Sequence, residues 1–476
     1  MREGKKRFFG GYQQTGGAAF AAHNTDCKPL PCSIKGGGLT GAFARPLAEC
    51  ELPLTQRRHP ADRAGRVAAA FALALALALP CWQSLRAQEV PLGVFWGAGE
   101  TVEHDSNLTR ANAQSGYPII SATSYITDLV ATLHETYGRE DLTASATIGR
   151  ALYPVYRQYD ITQQDIRGTL LSNLPLSAQA LLTVARTSQM AHFADLGSPV
   201  RDVIYHNELN ASVDFPLRIN WRAVLTGDDA HTLNSASIFQ TQDLNTTELD
   251  GGIRFQPSTG NHVDLLLRTV HGTYPNGSPS VFISSGYNDR GADLRADWTF
   301  TGASRLLGRA GYIERRNDDL LYLDTTTFPF QIRALSRNFS GPGFDLTYIW
   351  QITGASKLTA YGSRQIGAAG DNSYLSAVTR TFRLAPAYQP SVMVELEAYF
   401  EWSLRDYFSD VYAVVTGLPP GTNRRDNAHS DGVSVLWNPR RWLQVKLDLR
   451  HEQRDSTISS WVYTDSSASL SLQCRF

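Results

Sequence analysis

The chain has 476 residues, 42% of them apolar and 19% charged, with 10% aromatics and 38 Gly. Its net charge of −1 supplies no field for nucleic acid, and a mean hydropathy of −0.26 excludes a bundle of membrane-spanning helices. A transmembrane β-barrel passes both tests, because alternating strands hide from hydropathy scans.

Residues 1–62 are Gly-rich, carry Cys27, Cys32 and Cys50, and show no hydrophobic period. They read as a disordered or mis-assigned leader; the next Met after Met1 is Met190. The Cys27/Cys32 spacing lacks a His pair and is a poor metal signal, so neither a metal nor another cofactor is expected. Arg63 and Arg66 then precede an apolar run, Val67 to Pro80, and a small residue, Ala87. This is a secretory signal peptide over 63–87, cleaved before Gln88 and too short to span a membrane. Pro80 ahead of Cys81 speaks against lipid attachment. The remaining 88–476 retains one cysteine, Cys474, so no internal disulfide is available to it.

From about residue 91 the hydrophobic period is two. Leu217, Ile219, Trp221, Ala223 and Leu225 oppose Arg218, Asn220 and Arg222. Ala292, Leu294, Ala296, Trp298 and Phe300 oppose Asp293, Arg295 and Asp297. Leu396, Ala398, Phe400 and Trp402 oppose Glu395, Glu397 and Glu401, and Leu443 to Leu449 oppose Gln444, Lys446, Asp448, Arg450 and Glu452. Such a polar face can meet water outside a sandwich or inside a barrel.

Loop lengths separate the two. About eighteen strands are predicted, sixteen to eighteen being compatible with the pattern. Short turns near 137–140, 215–218, 257–260, 301–304, 353–356 and 438–441 alternate with long connections at 104–117, 191–201, 229–243, 273–286, 318–339 and 406–426. Short turns on one side and long loops on the other are the habit of an up-and-down antiparallel outer-membrane barrel. Trp221, Trp298, Phe300, Trp350, Trp402, Trp437 and Trp442 fall near strand ends, as interfacial girdles do. The terminal SASLSLQCRF alternates Leu470, Leu472, Cys474 and Phe476 against Ser469, Ser471, Gln473 and Arg475. It reads as a closing strand, with Leu470, Leu472 and Phe476 as the signal to the barrel-assembly machinery.

A barrel of this size encloses water. Its pore lining is expected to include Arg218, Arg222, Arg254, Arg268, Arg295, Glu395, Glu397, Glu401, Lys446 and Arg450; cross-strand pairing that merely keeps the wall wet explains them equally. Enzyme signatures are missing: there is no HExxH, GxSxG or Walker loop. His104, Asp105 and Ser106 are sequence neighbours, which puts alternate members on opposite faces of a strand.

Two segments carry a resemblance. ETVEHDSNLTR contains Asp105, Asn107, Leu108 and Arg110 in a D-x-N-L-x-R arrangement, and HEQRDSTISSWVYTDSSASLSLQCRF contains Arg454, Ser456, Tyr463 and Phe476. In these the chain resembles the outer-membrane barrels of exopolysaccharide biosynthesis loci associated with exosortase/PEP-CTERM sorting, the EpsL-like family. Thr109 stands where that signature is usually aromatic. The resemblance spans 91–476 and implies a Gram-negative outer-membrane pore for polysaccharide, working with periplasmic and inner-membrane export components. From the residues alone a general or solute-specific porin, or an outer-membrane enzyme acting on glycan or lipid, stays open beside it.

Overall fold

The computed structural model describes residues 92–476 apart from 259, 278–284, 325–327, 330, 336–337, 368–373 and 411–423. The expected leader 1–62 and signal peptide 63–87 lie outside the described residues.

Alternation produces strands throughout. The first nine are β1 (Gly93–Asp105), β2 (Ala122–Tyr137), β3 (Glu140–Leu152), β4 (Ile161–Asn173), β5 (Gln179–Met190), β6 (Val203–Arg218), β7 (Trp221–Asn234), β8 (Leu244–Ser258) and β9 (Asn261–Thr273). They are followed by β10 (Gly286–Thr301), β11 (Ser304–Asn317), a small hairpin of β12 (Leu320–Asp324) and β13 (Gln331–Leu335), then β14 (Phe339–Gln351) and β15 (Ser356–Gly367). The last five are β16 (Tyr374–Ser391), β17 (Val394–Asp410), β18 (Arg425–Arg440), β19 (Leu443–Ser456) and β20 (Tyr463–Arg475). All but β12 and β13 form one 18-stranded antiparallel sheet. The sheet closes because β1 pairs with β2 on one side and β20 on the other, from Gly97↔Arg475 to Asp105↔Ser467. Phe476 and Trp96 exchange backbone hydrogen bonds of 2.7 and 3.2 Å below that register. Closure leaves no unpaired edge, which is what lets a sheet cross lipid.

Connections segregate by length. Intervals such as 138–139, 219–220, 302–303, 352–355 and 441–442 lie at one end; 106–121, 153–160, 191–202, 235–243, 318–338 and 457–462 lie at the other. The two TGAS turns share a mechanism. The Thr301 hydroxyl accepts the Ala303 N–H at 3.2 Å, and the Thr353 hydroxyl accepts those of Ala355 and Ser356 at 3.2 and 3.0 Å, the short-range bonding that favours Thr in turns. One predicted strand is corrected. The alternation from Leu217 to Leu225 runs through a turn, with Asn220 at φ 93, so Leu217 and Arg218 close β6 and Trp221 begins β7. A period-two pattern continues across a two-residue hairpin loop and cannot mark it.

One face of the barrel sheet is apolar and uncovered: Leu267 is 71% exposed, and Leu265, Leu249, Leu294, Phe400, Val433 and Leu470 share that fate. The opposite face carries ion pairs that skip a strand, β8 Arg254 to β6 Asp214 and β10 Arg295 to β8 Asp250. Side chains converge that way only on the concave side of a curved sheet, so the charged face is the lumen. Toward the short-turn end the outer face is ringed by exposed Trp96, Trp221, Phe300, Trp350 and Trp437. Toward the other end it turns polar, with His104, His231, His271 and His451 hydrogen-bonded to Thr123, Asn245, Asn288 and Ser466 on neighbouring strands. An apolar belt between an aromatic ring and a polar collar is a membrane-spanning surface. The barrel fold supports a place in the outer membrane.

Candidate functional site: a paired lumen wall and a loop across the mouth

From β6 to β11 the lumen wall is a quilt of opposite charges. Arg222 and Arg254 meet Asp214 at 2.6 and 3.4 Å, and Arg254 also forks onto Asp264 at 2.7 and 2.8 Å. Arg268 pairs with Glu248, Arg295 with Asp250, and Arg309 with Asp293 at 2.6 Å. Arg305 holds Asp297 through two bonds, and Arg315 holds Asp289 through two of 2.7 Å while lying 3.6 Å from the Tyr287 ring centroid. Planar guanidinium groups suit such forks. Each of these arginines holds a carboxylate, which fixes this arc in shape.

The mouth is organised differently. Residues 191–202 leave β5, form one helical turn at Phe193–Leu196, and return to β6. Their near end is anchored. Asp202, 0% exposed, accepts hydrogen bonds from the Ser235 and Ala236 N–H groups at 2.8 and 2.7 Å and the Ser235 hydroxyl at 3.2 Å. Burial pushes its carboxyl up to about 6 against the pull of the Ala236 and Ser235 bonds. Phe193 packs edge-on to Tyr159 at 5.2 Å in a cluster with Leu108, Ile120, Ala236 and Phe239, which joins four loops. Burial also raises the Tyr159 phenol, whose hydroxyl donates to Pro199 O at 3.1 Å.

The far end reaches the opposite wall. Ala194 O accepts from Arg454 Nη1 on β19 at 2.7 Å. Asp195 lies 3.8 Å from Arg405 on β17 and 4.0 Å from Arg454. Gly197, at φ +60, presses on Trp461: an added Cβ would stand 2.5 Å from the ring. From β5 the sheet runs through β4, β3, β2, β1, β20, β19 and β18 before reaching β17, nearly half the circumference. The loop therefore spans the lumen, with two guanidinium groups and one carboxylate at its tip. Sequence reasoning placed 191–201 as a long loop and singled out none of Asp195, Arg405 or Arg454 as lining. A short stretch of mixed polarity gives no sign of which way it folds.

Trp461 is itself held by charge. Arg424 stacks 3.6 Å from its ring centroid and 4.5 Å from that of Tyr407, while bonding Asp426 at 2.6 Å. Beside this, the two segments that carry the family resemblance meet at the barrel seam. Arg110 bonds Asp105 at 2.8 Å and lies 3.0 Å from Asp465 of β20. Asp465 also takes the Asn107 N–H at 2.9 Å and the Ser106 hydroxyl at 3.0 Å. Arg454 lies 5.0 Å from the Tyr463 ring centroid, and the Ser456 hydroxyl bonds Asp426 at 2.7 Å. The contacts to Asp465 cross the closure between β1 and β20, while those of Arg454 and Ser456 tie β18, β19 and β20 together.

The remaining expected lining residues scatter. Arg218 is exposed at the short turn beside Asn220 and Trp221. Glu397 and Glu401 stand 3.9 and 3.6 Å from Arg383, and Glu395 shares their face one step below. Lys446 meets Asp448 at 2.8 Å, and Arg450 pairs with Glu452. Leu470 and Leu472 face outward on β20, opposite the polar row of Ser469 and Ser471. Cys474 is buried on that same outer face, and no cluster of possible metal ligands occurs among the described residues.

The sequence matches no protein family and no curated protein. Among solved structures, the chain is similar to the outer membrane protein opdK of Pseudomonas aeruginosa (TM-score 0.44, 10% identity, over 80% of this chain and 99% of that one). It is similar to OccAB4 of Acinetobacter baumannii (TM-score 0.45, 8% identity, 81% and 99%). It is also similar to OccK2 (OpdF) of Pseudomonas aeruginosa in complex with glucuronate (TM-score 0.43, 10% identity, 81% and 98%).

Proposed function

We propose that the protein is a solute-selective channel that favours small anions. The carrying observation is the loop 191–202, whose tip sets Asp195 between Arg405 and Arg454 across the lumen. From β6 to β11 each of the lumen arginines named above is already held by a carboxylate. At the crossing point two guanidinium groups face one carboxylate at distances too long for tight pairs, leaving donors for a passing carboxylate or phosphate. The test is a reversal potential across a planar bilayer under a salt gradient. Anion selectivity that falls on removing Arg405 or Arg454 supports the reading; cation selectivity, or no conductance from folded barrels, overturns it.

The polysaccharide reading is supported by the convergence of the Asp105–Arg110 and Arg454–Tyr463 segments at one seam. In that reading the barrel works beside periplasmic and inner-membrane export components, and the loop swings aside for a polymer. A strain lacking the gene then loses polysaccharide from the medium; unchanged secretion removes this reading and leaves the channel.

A further inference from the structure

We propose that the outer face of β15–β18 is a binding site for the phosphorylated headgroup of a lipid in the outer leaflet. It goes beyond transport and rests on the orientation with the long loops outside the cell. Arg364 registers with Phe344 on one side and with Arg380 on the other, on the apolar, outward parity of both strands. Arg380 reaches Asp406 at 2.6 Å, and Arg425 reaches the same carboxylate at 2.8 Å. Asp406 is the one acidic partner of these arginines among the described residues. Arg364 itself donates to Pro342 O. Asp455, on the neighbouring strand, is taken up by Gln453 at 3.2 Å. The side chains of Arg380 and Arg425 remain 42% and 58% exposed.

Position decides the occupant. One step toward the membrane centre, Phe382 and Trp402 oppose each other across β16 and β17, and one step further Leu384 opposes Phe400. Phe382 and Phe400 are exposed. Three guanidinium groups with one carboxylate among them, directly above an aromatic and aliphatic wall, match an amphiphile with anionic oxygens at the top of its acyl chains. Guanidinium forks bind phosphate strongly, and they prefer it where water is thinned by lipid. A soluble anion would gain nothing from the apolar wall, so lipid is the source.

The experiment exchanges the refolded barrel into detergent micelles doped with bis-phosphorylated lipid A and reads retained lipid by native mass spectrometry. The comparison is with the combined Arg364→Gln, Arg380→Gln, Arg425→Gln variant and with dephosphorylated lipid A. Wild type should retain the phosphorylated lipid about tenfold better than the variant, the equivalent of losing one charge-assisted contact, and should show no preference for the dephosphorylated lipid. Equal retention by both proteins overturns the proposal, as does displacement of the lipid by millimolar inorganic phosphate. The single Arg425→Gln variant, expected to lose part of the retention, carries the test if the triple variant fails to show the folded, heat-modifiable band.

Discussion

Arg110 Nη2 lies 3.0 Å from Asp465 Oδ2, tying the first long loop to the last strand. Asp465 is buried with 0% side-chain exposure, and the guanidinium of Arg110 with 6%. Removing the cation leaves Asp105 and Asp465 facing each other without compensation. Breaking a buried pair in this way costs about 3–5 kcal/mol. Arg110→Ala should lower the urea midpoint of the refolded barrel by that equivalent, and Arg110→Lys by less. An unchanged midpoint would show that the seam does not depend on this contact.

The charge at the crossing loop should set selectivity in opposite directions. Arg405→Ala and Arg454→Ala are expected to move the reversal potential toward cations, and Asp195→Asn toward anions. Barrel folding should survive all three, because the substitutions change side chains and leave the backbone hydrogen bonding of the strand ladder in place. A shift of the same sign in all three would sever the link between tip charge and permeation.

Gly197 provides a geometric test. Its left-handed backbone costs a side-chain-bearing residue about 1–2 kcal/mol, and any Cβ meets the Trp461 ring at 2.5 Å. Gly197→Val should lift the tip from the far wall. Single-channel recordings should then show larger or noisier conductance, while the heat-modifiable band is retained. Trp461→Ala should leave the same loop unseated with its own backbone unstrained.

Asp202 predicts a pH dependence. Its folded value of about 6 lies above the unfolded value of about 3.9. The folded loop therefore binds the proton more tightly, and its stabilisation is fully present below about pH 4 and lost as pH rises through about 6. Loop opening, followed as hydrogen exchange of the Ser235 and Ala236 amides, should increase over that window. Asp202→Asn keeps an oxygen for the three donors and removes the titration, so its exchange should lack that step once the intrinsic pH dependence is subtracted. A step persisting in the variant would assign the effect elsewhere.

The strands were legible because period two and loop length are local signals, and TGAS announces its turn through its own Thr hydroxyl. The hairpin at Ile219–Asn220 was not, because alternation passes through a two-residue loop unbroken. The lining charges were legible as a face, since Arg254, Arg268 and Arg295 fall on the polar parity of their strands; Arg218 follows the same parity but lies beyond the last wall position. Arg405 and Arg454 sit on that parity too, but what distinguishes them is the arrival of Asp195 from across the barrel. That encounter depends on the Phe193–Tyr159 packing and the Asp202 anchor, which join loops remote in sequence.

A closed sheet is stiff along its strands and soft to flattening, because an ovalised cross-section keeps every hydrogen-bonded register intact. The 191–202 crossing is a tie-rod against that deformation: it is anchored at Asp202 on one wall and seated on Arg454 and Trp461 at the other. Releasing it would let the mouth change shape as well as open. The pore's gauge and the roundness of its rim are thus one mechanical variable, and a solute that displaced the tip would be felt by the lipid around the barrel.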